Sequence, residues 1–210
     1  MAHVLISSGP TRQYLDPVRY LTNASSGRMG AALATSVLAA GHQVTVVSGP
    51  VDVEYPAGAS VIDVVSTEDM LAACLDVFPN CDGMIGVAAP CDYRPEIVAS
   101  QKIQKTGEPL VLHLHETPDI VATLGAKKQP NQWVVGFALE TEDARFRAIV
   151  KAEKKHCDLI VLNGPEAMHS SENHVEVLTR TGELAGAFHG EKSQVADEIL
   201  AVINERLIRR

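Results

Sequence analysis

The sequence predicts one α/β domain over residues 1–210, a single-domain Rossmann-like layer sandwich with a central, mostly parallel sheet and an added C-terminal β-hairpin. Short apolar segments alternate with longer stretches of helical periodicity, which is the order of βα units. Residues 82–89 and 133–138 have too few polar positions for a wet face, as expected of central parallel strands. Residues 174–179 and 184–188 flank the turn signal at 180–183, which is typical of a hairpin.

Composition narrows the function classes. The chain is 46% apolar and 21% charged, as in ordinary globular proteins, and its formal net charge of −8 argues against a nucleic-acid binder. The sequence lacks an apolar run of about 18 residues and a cleavable leader, so we expect no membrane contact and a cytoplasmic location. The four cysteines lack paired spacing and are expected as reduced thiols.

The first strand (residues 3–8) and the first helix (31–40) are separated by an unusually long connection. Ser25 and Ser26 are predicted caps of that helix, and Gly27 and Gly30 leave backbone N–H groups open to an anion. A plain capped helix start explains Ser-Ser-Gly about equally well. The connection also holds a polar set suited to a phosphorylated or carboxylate ligand, which is Thr11, Arg12, Asp16, Arg19 and Asn23.

The opening βαβ unit argues against dinucleotide binding without excluding it. The second strand, residues 42–48, ends in Ser-Gly-Pro rather than near an acidic residue, and the glycines do not form G-x-G-x-x-G. A third strand at 59–65 precedes a helix at 67–78 with Thr67 as its predicted cap. The strand at 82–89 runs into Asp92, just past the carboxyl end, where open α/β sheets bind ligands. Asp92 could instead cap its loop.

Several later residues have both a functional and a structural interpretation. His113 and His115 alternate on a predicted strand at 110–115 and could hold a metal, although a solvated sheet face is the commoner reason for that pattern. Lys102 and Lys105 could be solubilising charges. Thr117 is predicted to cap the next helix, with a proline at its first position.

The helix predicted at 143–156 carries Lys151 and Lys155 at i, i+4. Their ammonium groups would stack at a cost in stability unless an anion lies between them, or they could form a solvated last turn. Cys157 begins a further predicted strand at 157–162, and Ser193 is the predicted cap of the final amphipathic helix.

Taken together, the motifs resemble the phosphopantothenate–cysteine ligase family, also called phosphopantothenoylcysteine synthetase. The resemblance covers nearly the whole chain. It rests on SGPTR at 8–12 with LDPVR at 15–19, TNASSGRMG at 22–30, DYR at 92–94, KIQK at 102–105, PDIV at 118–121, and GFA at 136–138 with ET at 140–141. Gln104 leaves the family's lysine run one charge short, and Pro90-Cys91 replaces a small apolar pair.

The resemblance implies a ligase of coenzyme A synthesis. It implies that 4′-phosphopantothenate is activated by a nucleoside triphosphate as an acyl-nucleotide, with release of pyrophosphate, and that L-cysteine then displaces the nucleoside monophosphate. CTP is expected from the bacterial character of the motifs, with an acyl-cytidylate intermediate and CMP as product, and ATP is the alternative. Mg²⁺ as cofactor and a homodimer are also implied.

The resemblance assigns roles by position. Lys102 and Asn23 are implied as catalytic residues, Asn23 holding the acyl-nucleotide for the second step, and Asp92 is implied as a ligand of the metal or the nucleotide. Nucleotide contacts are implied for Gly86, Val87, Ala88, Asp92, Lys102, Pro118, Asp119, Ile120, Val121, Phe137, Lys151 and Lys155. Substrate contacts are implied for Arg19, Asn23, Ser25, Ser26, Gly27 and Ala89, with Arg19 acting in its own chain or across a dimer interface.

Two other function classes stay open at this point. A reductase dependent on NAD(P) could use the same framework, although the sequence lacks the glycine turn, the ribose-binding acid and a Tyr-x-x-x-Lys pair. A non-catalytic nucleotide-binding module would bind nucleotide without releasing pyrophosphate.

Overall fold

The computed structural model of the chain describes residues 1–140, 142–164 and 172–208. Thr141 of the predicted ET motif lies outside the described residues. The strands are β1 (His3–Ser8), β2 (Arg12–Tyr14), β3 (Tyr20–Thr22), β4 (Gln43–Ser48), β5 (Ser60–Asp63), β6 (Gly83–Gly86), β7 (Tyr93–Pro95), β8 (Leu114–Glu116), β9 (Trp133–Leu139), β10 (Leu159–Asn163), β11 (Glu172–Thr179) and β12 (Leu184–Glu191). The α-helices are α1 (Arg28–Ala39), α2 (Thr67–Val77), α3 (Ile120–Lys127), α4 (Ala144–Lys154) and α5 (Lys192–Ile203).

A large sheet carries the fold, with strand order β12-β11-β10-β9-β6-β1-β4-β5. From β10 to β5 each neighbouring pair is parallel, whereas β11 is antiparallel to both β10 and β12. The predicted α/β sandwich with a mostly parallel sheet and an added C-terminal hairpin is confirmed.

Both faces of the sheet are covered, so the core has two parts. On one face Leu33 of α1 and Ile199 of α5 belong to a buried cluster with residues of β1, β9 and β11. The other face is covered by a second buried cluster, which joins the same strands to Met70 of α2, Leu124 of α3 and Ala148 of α4. Strands covered on both faces are apolar along their length, which is why β6 and β9 were recognisable from sequence.

At the start of two helices the predicted cap residue does not cap, because its hydroxyl group is hydrogen-bonded elsewhere. Ser66, not Thr67, caps α2 through a reciprocal capping box with Asp69. Asp119, not Thr117, caps α3 by accepting a hydrogen bond from Ala122 N at 2.9 Å. The Thr117 hydroxyl instead donates to the Cys91 carbonyl at 2.7 Å.

The ends of two other predicted elements are also wrong. The short strand β8 begins at Leu114 and pairs with β7, so His113 lies outside the strand on which it was expected to alternate with His115. Helix α5 begins at Lys192 after Glu191, so Ser193 is inside the helix rather than its cap. In the described part of the chain, none of the helices has the length and apolar character required to cross a bilayer.

Candidate active site

The start of α1 lies at the carboxyl edge of the sheet and exposes backbone to a cavity. Its N-cap is Gly27, with φ of 72°, so the prediction that Ser25 or Ser26 caps the helix is wrong. Ser25 Oγ instead accepts a hydrogen bond from Gly27 N at 3.4 Å. A side chain at Gly27 would be strained by the positive φ and would lie 2.9 Å from Val51 Cγ1. The glycine therefore keeps the helix N-terminus open, as anion sites require.

A cavity of about 190 Å³ lies against this helix N-terminus. Besides Ser25, Ser26 and Gly27, two cations border it, Arg28 of α1 and Lys192 of α5. Burial of Lys192, followed by the nearby charge of Arg28, lowers the pKa of the Lys192 ammonium. The remaining lining residues are Ser8, Ala24, Met29, Gly30, Val87, Ala88, Ala89, Phe137, Ala138, Leu139, Asn163 and Asn173. We call this space the helix cavity.

A second and larger space of about 550 Å³ lies on the other side of the β6 and β9 ends. The segment that opens α3 forms one wall, and Lys154 and Lys155 of the α4 terminus form another. The lining residues are Ser7, Gly86, Ala88, Pro90, Asp92, Tyr93, Glu116, Thr117, Pro118, Asp119, Ile120, Val121, Phe137, Lys154 and Lys155. We call this space the cleft. It brings together most of the residues for which nucleotide contacts were implied.

The two spaces share a boundary. Ala88, after β6, and Phe137, in β9, line both the helix cavity and the cleft. The close approach of α1 to β1 fixes the helix cavity beside this boundary, because a Cβ on Gly30 would collide with Ser8 Oγ. Two ligands, one in each space, would therefore meet across Ala88 and Phe137.

The predicted repulsion between Lys151 and Lys155 is offset by neighbouring carboxylates. Lys155 Nζ lies 3.1 Å from Asp119 Oδ2, and Lys151 forms an ion pair with the buried carboxylate of Glu140. Each ammonium group thus has its own carboxylate partner, which offsets the repulsion between them without a bound anion. Lys155 borders the cleft; Lys151 is not among its lining residues in the described chain, and Lys154 is.

Asn23 ties the long β1–α1 connection to the end of β6. Its Nδ2 donates hydrogen bonds to the Pro90 carbonyl at 2.8 Å and to the Ala89 carbonyl at 3.3 Å. Since Ala89 lines the helix cavity and Pro90 lines the cleft, the Asn23 amide lies beside the shared boundary.

Arg19 and Lys102 lie elsewhere, on a peripheral unit. Residues 96–113, which connect β7 to β8 and which we call the arm, carry Lys102 as an exposed side chain. Arg19 Nη1 donates to Asp16 Oδ2 at 2.7 Å and to the Ile103 carbonyl at 3.0 Å. In the described chain, neither Arg19 nor Lys102 is among the lining residues of the helix cavity or the cleft.

Asp16 organises this unit. Its carboxylate accepts hydrogen bonds from the backbone N–H groups of Val18, Arg19 and Ile103 at 2.8, 2.8 and 3.1 Å. Burial by itself would raise the pKa of Asp16, but these backbone bonds and the bond from the Arg19 guanidinium outweigh it and lower the pKa to about 2. Asp16 and Arg19 thus hold Ile103 of the arm against the β2–β3 loop, where Ala99 N also donates to the Leu15 carbonyl at 2.9 Å.

The donor set for a metal is small. Asp92 is exposed at the mouth of the cleft, where Glu116 and Asp119 also lie. Within residues 1–140, 142–164 and 172–208 there is no group of three His, Cys, Asp or Glu side chains that could hold an ion by itself.

All four cysteines are buried and free, as expected. Burial raises the pKa of Cys74 to about 12 and that of Cys157 to about 11.

The polar lining residues that were not predicted from sequence include Arg28, Glu116 and four residues from the last third of the chain. These four are Lys192, Asn163, Asn173 and Lys154, the last of which was passed over for its neighbour Lys155. The signal for Lys154 was its place in the last turn of α4, since basic residues there reach past the strand ends. For the other three, strand and helix patterns gave no indication of a site.

Comparison with known proteins identifies the family. The profile of the family described as DFP, DNA/pantothenate metabolism flavoprotein C-terminal domain, matches residues 1–207. The coenzyme A biosynthesis bifunctional protein CoaBC of Vibrio parahaemolyticus is 40% identical over 196 residues, 90% of this chain and 49% of that protein. The CoaBC protein of Bacillus subtilis is 43% identical over 166 residues, 79% of this chain and 41% of that protein. The chain spans about half the length of these curated relatives.

Solved structures agree. The crystal structure of the C-terminal domain of a CoaBC protein has a TM-score of 0.86 and 36% identity, covering 100% of this chain and 97% of that one. The DNA/pantothenate metabolism flavoprotein of Streptococcus pneumoniae also has a TM-score of 0.86, at 22% identity, and covers 98% of this chain and 99% of that one. At that identity it shows the fold alone. The chain therefore belongs to the family of DNA/pantothenate metabolism flavoprotein C-terminal domains, which confirms the resemblance drawn from its motifs.

Proposed function

We propose that this domain joins 4′-phosphopantothenate to L-cysteine in two steps. In the first, the substrate carboxylate attacks the α-phosphorus of a nucleoside triphosphate, which forms an acyl-nucleotide and releases pyrophosphate. In the second, the amine of cysteine attacks the acyl carbon and the nucleoside monophosphate leaves. The names of the CoaBC relatives, which describe coenzyme A biosynthesis, support this assignment.

The observation that carries the proposal is the boundary between the helix cavity and the cleft. The first step requires a carboxylate and a triphosphate to meet in line, which is mainly a matter of positioning. A phosphorylated acid in the helix cavity would have its phosphate at the α1 N-terminus, near Arg28 and Lys192. Its carboxylate would then face the cleft across Ala88 and Phe137.

The cleft suits the nucleotide. Residues 118–121 and Phe137 would enclose the base and ribose, with Gly86 and Ala88 at the strand end beneath them. Val87, for which a nucleotide contact was also implied, lines the helix cavity instead. Lys155 now pairs with Asp119 at 3.1 Å, and a triphosphate would offer it a stronger anionic partner. Lys151 would act indirectly on the nucleotide, through its ion pair with Glu140.

Mg²⁺ fits the cleft as an ion shared with the nucleotide rather than as a resident of the protein. Magnesium commonly takes one or two carboxylates and completes its shell with phosphate oxygens and water. Asp92, exposed at the cleft mouth, is the side chain we assign to it. When bound, the ion would offset the charge that develops on the phosphates.

Asn23 and the peripheral cations have separate roles in the proposal. The Asn23 amide, now bonded to Ala89 and Pro90, would turn toward the acyl carbonyl of the intermediate and donate to it during the second step. Lys102 would stabilise the transferring phosphate, and Arg19 would take the substrate phosphate of a neighbouring subunit.

A homodimer accounts for the surface of the arm. Ile97, Val98, Leu110 and Val111 are 57–79% exposed, a cluster of large apolar side chains typical of an interaction surface. A second copy of the chain covering it would bring Arg19 and Lys102 next to a site formed by another protomer. We also propose CTP as the nucleotide, in keeping with the bacterial relatives, and the cytoplasm as the place of the reaction.

Pyrophosphate release tests the proposal. Purified protein is given 4′-phosphopantothenate, Mg²⁺ and either CTP or ATP, with and without L-cysteine. We expect release that requires phosphopantothenate, prefers CTP and yields the cysteine conjugate. Nucleotide binding without release would favour a non-catalytic module, and an oxidised or reduced nicotinamide product would favour a reductase.

The variant Asn23→Asp separates the two steps. Since a carboxylate cannot donate to the acyl carbonyl, we expect the variant to form labelled acyl-nucleotide and to transfer it to cysteine at least about a hundredfold more slowly. Asn131→Asp, exposed at the opposite edge of the sheet, is the control. A variant that turns over normally, or that accumulates no labelled intermediate, would contradict the role of Asn23.

A further inference from the structure

Two buried hydrogen-bond acceptors in the helix cavity are without partners. Among the described residues, Oδ1 of Asn163 and Oδ1 of Asn173 have no hydrogen-bond donor, and both atoms are closed to solvent. Asn173 as a whole is only 3% exposed. Leaving such an acceptor unpaired costs about 1–3 kcal/mol, and native proteins rarely do so without a reason. Both residues line the helix cavity, so a turn of each carboxamide would bring its oxygen to a ligand there that carries the missing donor.

The strand register puts the two acceptors on one face of the sheet. Asn163 ends β10 and lies opposite Val175 of the antiparallel strand β11. Asn173 precedes Val175 by two residues, and side chains two apart along a strand point to the same face. The two asparagines are therefore diagonal neighbours, with α-carbons about 7–8 Å apart. That spacing lets one elongated ligand reach both.

Charge divides the helix cavity into two ends. Arg28, Lys192 and the α1 N-terminus supply positive potential for an anion. A carboxamide oxygen has no proton to give and would repel phosphate oxygens, so Asn163 Oδ1 and Asn173 Oδ1 do not suit the anionic group itself. The cavity thus fits a molecule whose anionic end continues into a segment that carries O–H or N–H donors.

We infer that Asn163 and Asn173 each accept one hydrogen bond from the middle of the substrate, one from its hydroxyl and the other from its amide N–H. The inference rests on the proposed function, because 4′-phosphopantothenate carries one secondary hydroxyl and one amide N–H between its phosphate and its carboxylate. The two side chains are then specificity-determining residues, since an analogue that lacks either donor leaves a buried acceptor unpaired.

Equilibrium binding tests this without any turnover. Calorimetry compares 4′-phosphopantothenate with a deoxy analogue that lacks the hydroxyl and with an ester analogue in which oxygen replaces the amide N–H. The wild type is expected to bind each analogue about tenfold or more weakly than the substrate. In Asn163→Leu and Asn173→Leu, similar in size but without the acceptor, each variant should lose discrimination against one analogue and keep it against the other. Asn131→Leu, exposed at the opposite edge of the sheet, should discriminate as the wild type does.

Asn163→Asp and Asn173→Asp guard against variants that fail to fold. An aspartate retains an acceptor oxygen, so both should keep the analogue discrimination even if the added charge weakens all binding. Three outcomes would overturn the inference. These are equal wild-type affinity for substrate and analogues, variants that lose thermal stability but keep both discriminations, and variants that instead lose discrimination against unphosphorylated pantothenate.

Failure of the inference can be told from failure of the proposed function. Wild-type protein that discriminates between the analogues but releases no pyrophosphate would support the asparagine roles and refute the ligase. Protein that releases pyrophosphate but binds the analogues as well as the substrate would do the opposite.

Discussion

The helix cavity and the arm differ in how they hold their functional groups. The helix cavity is formed by strand ends and two helix termini, and its geometry is fixed by close contacts such as that of Gly30 with Ser8. The arm, residues 96–113, holds Lys102 exposed on a segment with no helix or strand of its own, fastened at Ile103 by Asp16. Rigid elements position groups more precisely than loops do. In the proposed mechanism the core binds the substrates, and the arm of a second protomer completes the site.

The largest expected effect tests whether the arm is catalytic. Because Lys102 is exposed and is not among the described lining residues of the helix cavity, Lys102→Ala should leave thermal stability and phosphopantothenate affinity unchanged. Loss of an electrostatic contact to the reacting phosphate should lower kcat for pyrophosphate release by about 10²–10³. Lys105→Ala, an exposed lysine on the same arm, is the matched control. A similar loss in both variants would mean that the arm contributes general charge rather than a specific residue.

The rigid strand ends that border the helix cavity were largely predictable from sequence. The apolar runs of β6 and β9 required burial on both faces, so their carboxyl ends had to meet at one edge of the sheet. The candidate Asp92 follows directly from that placement, whereas the contact of Phe137 was implied by the motif resemblance. The role of Lys102 came from motif resemblance alone, whereas Arg19 was also singled out among the polar residues of the long β1–α1 connection. Both roles are still predictions.

What the sequence did not reveal depends on contacts between distant segments. Lys192 and Asn173 reach the helix cavity only because β11 and β12 add to the sheet edge and return the chain to α1. The choice between Thr117 and Asp119 as helix cap is similar, since both can cap and the Cys91 carbonyl decides it by taking the threonine hydroxyl. The strands β2 and β3, three residues each, are too short to give a periodic signal.

A second prediction concerns a substitution in the helix cavity. In Gly30→Ala the new methyl group would collide with the buried Ser8 hydroxyl, to which the Tyr55 hydroxyl donates at 2.8 Å. The start of α1 must shift, so we expect a loss of about 1–3 kcal/mol in the free energy of unfolding and weaker phosphopantothenate binding. Denaturant unfolding and calorimetry measure the two effects. Gly164→Ala, where a Cβ meets no atom of the described residues within 4 Å, should change neither. A stable variant with intact affinity would show that the boundary is less rigid than the contact implies.

The smallest expected effect tests whether the Asp16 carboxylate holds the arm in place, by varying the pH. The pKa of Asp16 in the folded protein is about 2, below the value of about 3.9 typical of an unfolded chain. The stabilisation from its charge is therefore complete above about pH 4 and is lost as the pH falls toward 2. Asp16→Asn should unfold at a lower temperature than the wild type at pH 7, and the two should converge near pH 2. Asp52→Asn, an exposed aspartate, should follow the wild type throughout. If Asp16→Asn keeps the wild-type pH profile and the same kcat, the arm is held by other contacts and does not depend on this carboxylate for its position.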